Sequence, residues 1–415
     1  MFLKSAIFAT LVIVLCWGAA ARADSPLWYF SPRMALQQQY TDNLNISENG
    51  EEDWVSQMEG GFTSAGVTER GEARINATAK RFQYVYNTQL DRTDVMASGS
   101  VSWRWTPTFM TTFGGSYLQD STLEEEYEET GNITQRAKRN ILGMTGSGVL
   151  RLSERLQVEL SGGLNYVRYP DGERTEYDRW NVAINPAYLL DEYNTVGISA
   201  IYSSLDYEPR VFTFFYQRLT DKTSTDNISS SLYWTHKVDE TCDFRIQGGY
   251  SISHTREELI TEIPIFNYRV SRTSESDSDG FIYSASISKR WNDRVSSSLK
   301  AGRQHVLGSD SEVDLRTYVA TNHDFRLTEK TRWNLGLRYD LNEEEETEDN
   351  QNAETKQTAQ VSSSLRWEFI EDYDLFVNTS YTHVLSETDS RDTDYSRFVM
   401  TIGVEMVWPS LFDNN

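Results

Sequence analysis

The sequence predicts an all-β protein, a transmembrane antiparallel up-and-down β-barrel of about 18 strands. Aromatic residues make up 13% of the chain, although its mean hydropathy is negative. Apolar and polar residues alternate over stretches of roughly 11 residues, the length of a tilted strand that crosses a bilayer. Short turns alternate with long polar connections, as in outer-membrane barrels. A soluble sandwich also alternates, but its strands are usually about half as long.

The clearest alternation lies at the C-terminal end of the pattern. One face of this segment is apolar and consists of Phe398, Met400, Ile402, Val404, Met406 and Trp408. The opposite face carries Arg397, Thr401 and Glu405. Because the last strand of an outer-membrane barrel usually ends on an aromatic residue, we interpret the apolar set as the insertion signal for the barrel-assembly machinery. Residues 409–415 follow Trp408, which is a departure from the usual ending.

The same period of two recurs upstream, at 156–166, 244–253 and 332–341. It predicts that residues such as Ile246, Leu335 and Leu337 face hydrocarbon. The segments Ser224–Lys237 and Val313–Asn322 alternate only weakly. A barrel of 16 strands is therefore the alternative prediction.

Connections of two lengths predict the topology. The short ones, expected in the periplasm, are Gly66–Gly71, Thr106–Thr108, Leu152–Arg155, Asp191–Tyr193, Val238–Glu240, Trp291–Arg294, Phe325–Lys330 and Ile370–Asp372. The long polar ones, expected outside the cell, include Ser121–Gln135, Tyr169–Tyr177, Asp206–Thr220, Thr255–Ser278, Glu343–Glu354 and Leu385–Asp394. An even number of strands places both chain ends in the periplasm.

Residues 1–23 form a predicted signal peptide. Lys4 precedes an apolar run, Ala6–Trp17, and Ala21–Ala23 has the small-residue pattern of a cleavage site. The run is shorter than the roughly 20 residues that a membrane helix needs. Residues 24–415 would then form a single barrel domain in which Cys242 is the only cysteine, so no intrachain disulfide is expected.

The first predicted strand resembles the start of a known family. Ser31–Leu36 runs into Tyr40–Leu44, with Pro32, Tyr40, Asp42 and Asn43 carrying the likeness. The family consists of outer-membrane, porin-like β-barrel proteins associated with exopolysaccharide operons and the exosortase (PEP-CTERM) system. The resemblance covers about fifteen residues. It implies a role in export or envelope biology rather than a particular chemistry.

Basic residues share the face that is opposite the predicted lipid-facing apolar residues. They are Arg74, Lys80, Arg104, Arg139, Arg151, Arg179, Arg245, Lys300, Arg338, Arg366 and Arg397. One interpretation is an ion-pair lattice that stiffens the barrel wall. The other is a net basic lumen that favours anionic solutes, since rings of Arg and Lys select for anions. An acidic polysaccharide would suit such a lumen.

Acidic residues dominate the whole chain, whose net charge is −23. This charge excludes nucleic acid as a partner, because phosphate binding needs a basic surface. Two acidic runs, Glu124–Glu129 and Glu343–Asp349, fall in predicted outer loops. They are interpreted as solvated loops, with loose divalent-cation bridges to lipopolysaccharide phosphates as the alternative. Outer-membrane lipid and lipopolysaccharide are thus the expected surroundings.

Enzyme activity is not expected from the residues present. The five histidines, His236, His254, His305, His323 and His383, are scattered along the chain. Ser253 and His254 are adjacent, so in a strand they point to opposite faces. We find no nucleophile-elbow motif and no metal-ligand spacing, and we expect no cofactor. The prediction is a channel for solute or acidic exopolysaccharide; the alternatives are a structural or adhesion barrel and, less favoured, a lipid-hydrolysing barrel.

Overall fold

The computed structural model describes residues 27–121, 137–172, 174–214, 217–263, 268–307, 313–344, 355–388 and 391–408. The predicted signal peptide, the acidic run at 124–129 and most of the run at 343–349 lie outside these residues. Within them the strands are β1 Leu27–Thr41, β2 Asp53–Val67, β3 Gly71–Tyr84, β4 Arg92–Thr106, β5 Phe109–Ser121, β6 Lys138–Arg151, β7 Leu156–Arg168, β8 Tyr177–Leu189, β9 Asn194–Tyr207, β10 Arg210–Phe214, β11 Gln217–Asp239, β12 Cys242–Ile263, β13 Tyr268–Asn292, β14 Val295–Leu307, β15 Val313–Arg326, β16 Thr331–Glu344, β17 Thr355–Ile370, β18 Tyr373–Thr388 and β19 Arg391–Val407.

The strands close into a barrel. Apart from β9 and β10, each strand pairs antiparallel with its neighbours along the chain, and β1 also pairs with β19. The short β10 pairs only with β11, while β9 pairs with β11 directly. Eighteen strands therefore form the closed wall, as predicted, and the alternative of 16 is wrong. The two weakly patterned segments form β11 and β15. Closure leaves no open edge in the wall, where unpaired N–H and C=O groups would be costly in lipid.

The two faces of the wall differ in chemistry. Leu337 is 42% exposed on the outer face, while Asp340, three residues further along the same strand, is completely buried on the inner face. Large apolar side chains such as Phe113 and Leu160 are likewise exposed on the outer face. This distribution of apolar and charged side chains is the inverse of that in a soluble protein. It matches a wall whose outer face meets lipid. No helix among the residues described is long and apolar enough to cross a membrane.

The short connections occur where they were predicted, at 68–70, 107–108, 152–155, 190–193, 240–241, 293–294, 327–330 and 371–372. Three of the predicted long loops are partly wrong. Most of Thr255–Ser278 is strand, because β12 continues to Ile263 and β13 begins at Tyr268. Leu385–Asp394 likewise continues β18 and β19, and Asp206–Thr220 contains β10 and the start of β11. Above the bilayer both faces of a strand meet water, so no apolar alternation marks these extensions.

Candidate pore lining

Four of the predicted basic residues lie in one row across the wall. Residues opposite each other in an antiparallel pair point to the same side of the sheet. An unbroken row of such partners runs through Arg245, Ser286, Lys300, Ala320, Arg338, Gln360, Thr382 and Arg397. Arg397 and Thr382 are buried. The row therefore faces the barrel interior.

The other seven predicted basic residues lie on the same inner face. Buried residues oppose four of them: Ala65 opposes Arg74, Asp120 opposes Arg139, Leu205 opposes Arg179 and Phe376 opposes Arg366. The remaining three, Lys80, Arg104 and Arg151, follow by alternation along β3, β4 and β6. The structure thus brings all eleven to one side of the wall.

Some of these bases belong to an ion-pair lattice. Arg139 binds Asp120 through two hydrogen bonds of 2.8 and 3.0 Å, and both side chains are buried. The Asp340 carboxylate accepts hydrogen bonds from both Arg338 and Arg316, and the shortest N···O distance to each arginine is 2.6 Å. A buried ion pair that is hydrogen-bonded in this way fixes the geometry of the wall.

Two further predicted bases are paired less deeply. Arg366 lies 3.1 Å from Asp374 and 2.7 Å from Glu405, and Arg74 lies 2.9 Å from Glu72. These arginines are about half exposed, so water screens their interactions. Sequence analysis did not single out Arg316. It lies four residues before Ala320 on β15 and therefore shares the inner face with it.

Six other predicted bases have no carboxylate partner among the described residues, and Arg397 donates to the hydroxyl of Thr41 at 3.3 Å. Within the part of the chain that is described, no carboxylate oxygen lies within 4.0 Å of the side-chain nitrogens of these six residues. They are Lys80, Arg104, Arg151, Arg179, Arg245 and Lys300. Arg245 instead stacks 4.3 Å from the ring centre of Tyr233. The ion-pair lattice therefore accounts for some of the predicted bases, and a lumen that favours anions stays a prediction. We call these six the unpaired lumen bases.

Arg245 and Lys300 lie on a wall rich in hydroxyl groups. The inner face of β11–β14 carries, among others, Ser229, Ser231, Ser251, Ser284, Ser286 and Ser298. The amide of Gln247 donates to Ser231 at 2.6 Å, and Asn227 donates to Ser251 at 2.9 Å. This wall combines small neutral hydrogen-bonding groups with two fixed positive charges.

The family-like motif fastens the strands at which the barrel closes. The Asp42 carboxylate accepts from the backbone N–H of Phe398 at 2.7 Å. The Asn43 amide donates to the carbonyls of Ser47 at 2.8 Å and Ser396 at 2.9 Å. Both contacts tie the end of β1 to β19. Sequence analysis missed this role, although a carboxylate and an amide directly after a strand are typical of such capping contacts.

The rest of the motif lies along the same seam. Tyr40 donates to Glu52 at 3.2 Å and packs 5.1 Å from the ring of Trp54. At the periplasmic end the carbonyl of Pro32 accepts from the N–H of Trp408 at 3.0 Å. The predicted insertion signal lies here as well, with its apolar side chains on the outer face of β19. Recognition of that face by the assembly machinery stays a prediction.

Residues 42–52, which we call the inner loop, fold back into the mouth of the barrel. Leu44 is 2% exposed and packs with Val55, Phe82 and Tyr84, which are inner-face residues of β2 and β3. Ile46 packs on the other side against β18 and β19, through Val384 and Tyr395. The inner loop thus lies across the inner wall and narrows the extracellular opening.

Asp53 holds the neighbouring loop, residues 85–91. It lies at the extracellular end of β2, and its carboxylate accepts from the backbone N–H groups of Trp54, Val85, Tyr86 and Asn87 at 2.7–3.1 Å and from the Asn87 amide at 3.0 Å. Burial by itself would raise the pKa of Asp53, but these hydrogen bonds outweigh it and lower the pKa. Asp53 is therefore ionised and anchors the second loop of the mouth.

Among the described contacts, those of His323 lack the carboxylate of a catalytic triad. The Nδ1 atom of His323 shares a hydrogen bond of 2.8 Å with the Ser297 hydroxyl. Its Nε2 atom lies 3.1 Å from the Thr321 hydroxyl rather than near a carboxylate. His254 contacts Asp277 at 2.6 Å. Across the described ranges, no group of three His, Cys, Asp or Glu side chains is arranged to hold a metal ion.

Comparison with known proteins supports the fold. No protein-family model matches the chain, and no curated protein matches it in sequence. The ferric-catecholate import receptor Fiu from E. coli K12 is 6% identical, with a TM-score of 0.50 over 93% of this chain and 82% of the receptor. The FrpB iron transporter from Neisseria meningitidis is 8% identical, with a TM-score of 0.47 over 95% of this chain and 83% of that chain. OccK1 (OpdK) from Pseudomonas aeruginosa is 10% identical, with a TM-score of 0.45 over 91% of this chain and 99% of that chain. The chain has the outer-membrane β-barrel fold.

Proposed function

We propose that this protein is an outer-membrane channel that favours anionic solutes. The observation that carries the proposal is the set of unpaired lumen bases on the inner wall. Their charge acts inside a confined channel of lower effective dielectric, where a fixed charge has more effect than in bulk water. The influence of a charge that faces bulk solvent, by contrast, falls off over a Debye length of about 8 Å at physiological salt.

An acidic exopolysaccharide is the proposed polymer cargo. The likeness of Ser31–Leu44 to barrels of exopolysaccharide operons supports this assignment, and so does the serine-rich wall around Arg245 and Lys300. Hydroxyl groups can exchange hydrogen bonds with a sliding sugar chain, while a few fixed cations attract its carboxylates. Lipopolysaccharide is the proposed outer-leaflet neighbour.

The test is a matched pair of double variants in planar bilayers. Arg245→Ser with Lys300→Ser removes two unpaired lumen bases, and we expect its reversal potential in a KCl gradient to move toward cation preference. Arg81→Ser with Arg303→Ser removes the same charge from the outer face, where each arginine lies near an acidic residue. We expect this control to keep the original selectivity. Equal shifts in both variants would refute control by the lumen, and the absence of any conductance would favour a structural or adhesion barrel.

A further inference from the structure

The inner wall contains a recess below the inner loop. It has a volume of about 300 Å³ and is formed by β1–β5. Its lining includes Arg33, Gln39, Gln57, Lys80, Met96 and Leu118. A volume of this size lies at the lower end of small-molecule sites and suits a ligand of one ring.

Most charges in the recess are neutralised locally. Arg33 lies 3.2 Å from Glu59 and also donates to Thr78 at 2.7 Å. Arg92 lies 3.2 Å from Asp94, and the carboxylate of Asp120 is held by Arg139 as described above. Lys80 is the exception, since no described carboxylate lies within 4.0 Å of its ammonium group. The recess therefore presents one uncompensated positive charge.

The position of Lys80 is fixed by an aromatic platform. Its Nζ lies 5.0 Å from the ring centre of Phe82, and the guanidinium of Arg92 lies 4.1 Å from the same centre. Phe82 is buried under Leu44 of the inner loop. A cation held over a ring in this way is restricted in position while its charge stays available to an anion.

The recess also offers neutral polar groups. The amides of Gln39 and Gln57 bond to each other on the inner face of β1 and β2. Both residues line the recess, so hydrogen-bonding groups lie beside its one cation.

The opposite side of the recess is apolar. Met96 is 47% exposed although it lies on the inner face, and Leu118 is its register partner on β5. Exposed large apolar residues are unusual in a polar lumen. The recess thus combines one cation, several neutral hydrogen-bonding groups and an apolar surface.

We propose that this recess is a binding subsite for a hydroxylated monocarboxylate of the uronic acid class. A pyranuronate has one carboxylate for Lys80, hydroxyl groups for Gln39 and Gln57, and an apolar C–H face for Met96. The proposal rests on the proposed function, because it requires that anionic solutes enter the lumen. It adds a position at which such a solute, or one residue of an acidic polysaccharide, pauses near the extracellular mouth.

The test is equilibrium binding of D-glucuronate to the folded, detergent-solubilised protein, measured by calorimetry. Lys80→Gln should weaken binding about tenfold or more, because a charge-assisted hydrogen bond is lost. Arg81→Gln removes the adjacent positive charge, which lies on the outer face of the same strand, and glucuronate affinity should stay unchanged. Met96→Ser provides a second recess variant without a change in charge and should also weaken binding. Heat modifiability on gels checks that each variant is folded.

Neutral D-glucose and benzoate test the ligand class. We expect the affinity for glucuronate to exceed the affinities for glucose and benzoate. Tighter binding of benzoate than of glucuronate would overturn the sugar-acid assignment in favour of an apolar acid. Equal loss of affinity in Lys80→Gln and Arg81→Gln would show that binding does not depend on the recess and would also overturn the proposal. Anion-selective conductance without glucuronate binding would refute the subsite alone. Lys80-dependent binding without conductance would refute the channel and leave the subsite standing.

Discussion

At the scale of single residues, polar side chains shape the mouth of the barrel. Asp53, Asp42 and Asn43 each use a side chain to bind backbone groups of a neighbouring loop or strand. Asp53 is buried, and hydrogen bonds to a charged group such as its carboxylate are worth more than neutral ones, about 1.5–3 kcal/mol each. Three residues therefore hold the loops that narrow the opening and the strands that close the wall.

Asp53→Asn should loosen the loop at 85–91. The amide cannot match a carboxylate as acceptor for the N–H groups of Val85, Tyr86 and Asn87. Hydrogen exchange at these three amides should accelerate about tenfold or more. Exchange in the turn at 190–193, far from Asp53 in the wall, serves as the internal control. Unchanged exchange at 85–87 would show that the carboxylate does not hold the loop.

The pH dependence of this contribution has a defined sign. Hydrogen bonding lowers the pKa of Asp53 in the folded protein against its unfolded value of about 3.9. The stabilisation is therefore complete above about pH 4 and is lost as the pH falls through the lowered pKa. The difference in unfolding free energy between the native protein and Asp53→Asn should shrink in acid. A difference that is as large at pH 2 as at pH 7 would contradict this account.

Leu337→Arg tests which face meets lipid. Leu337 is exposed on the outer face of β16, so an arginine there should destabilise the barrel by about 2–4 kcal/mol if it lies near the bilayer midplane. Asn334→Arg places the same charge on the inner face of the same strand, next to Asp324. Unfolding in urea from lipid vesicles measures both variants. A smaller loss for Leu337→Arg than for Asn334→Arg would reverse the assignment of the faces.

At the scale of elements, the wall could be predicted from sequence and its extensions could not. Alternation appears where one face of a strand meets lipid, which is why β16 and β19 are evident in the sequence. Beyond the bilayer the hairpin of β12 and β13 has water on both faces, and its polar composition looks like a loop. The inner loop was missed for another reason. Leu44 and Ile46 are two apolar residues in a polar segment, and their burial depends on partners as distant in sequence as Val384.

The extended hairpin should be dispensable for the barrel. Replacing Thr255–Ser276 by an Asn-Gly turn between His254 and Asp277, which are register partners, keeps the pairing of β12 with β11 and β13 below this level. The shortened protein should remain heat-modifiable and keep the conductance of the full chain. Loss of heat modifiability would mean that the extension contributes to closing the wall.

At the scale of the whole molecule, local placement of charge is proposed to outweigh total charge. The chain carries a net charge of −23, yet bases such as Arg245 and Lys300 have no carboxylate partner among the described residues of the inner wall. Sequence parity was sufficient to predict the shared face of these residues. It could not predict which of them pair, because Asp120, Asp340 and Glu405 come close only through strand register and rotamer.

The reversal potential of the unmodified protein in a KCl gradient tests the central claim most directly. If the unpaired lumen bases control permeation, single channels should be anion-selective at physiological salt, and the preference should weaken as salt rises because screening shortens the range of each charge. A cation-selective reversal potential in the unmodified protein would contradict the account.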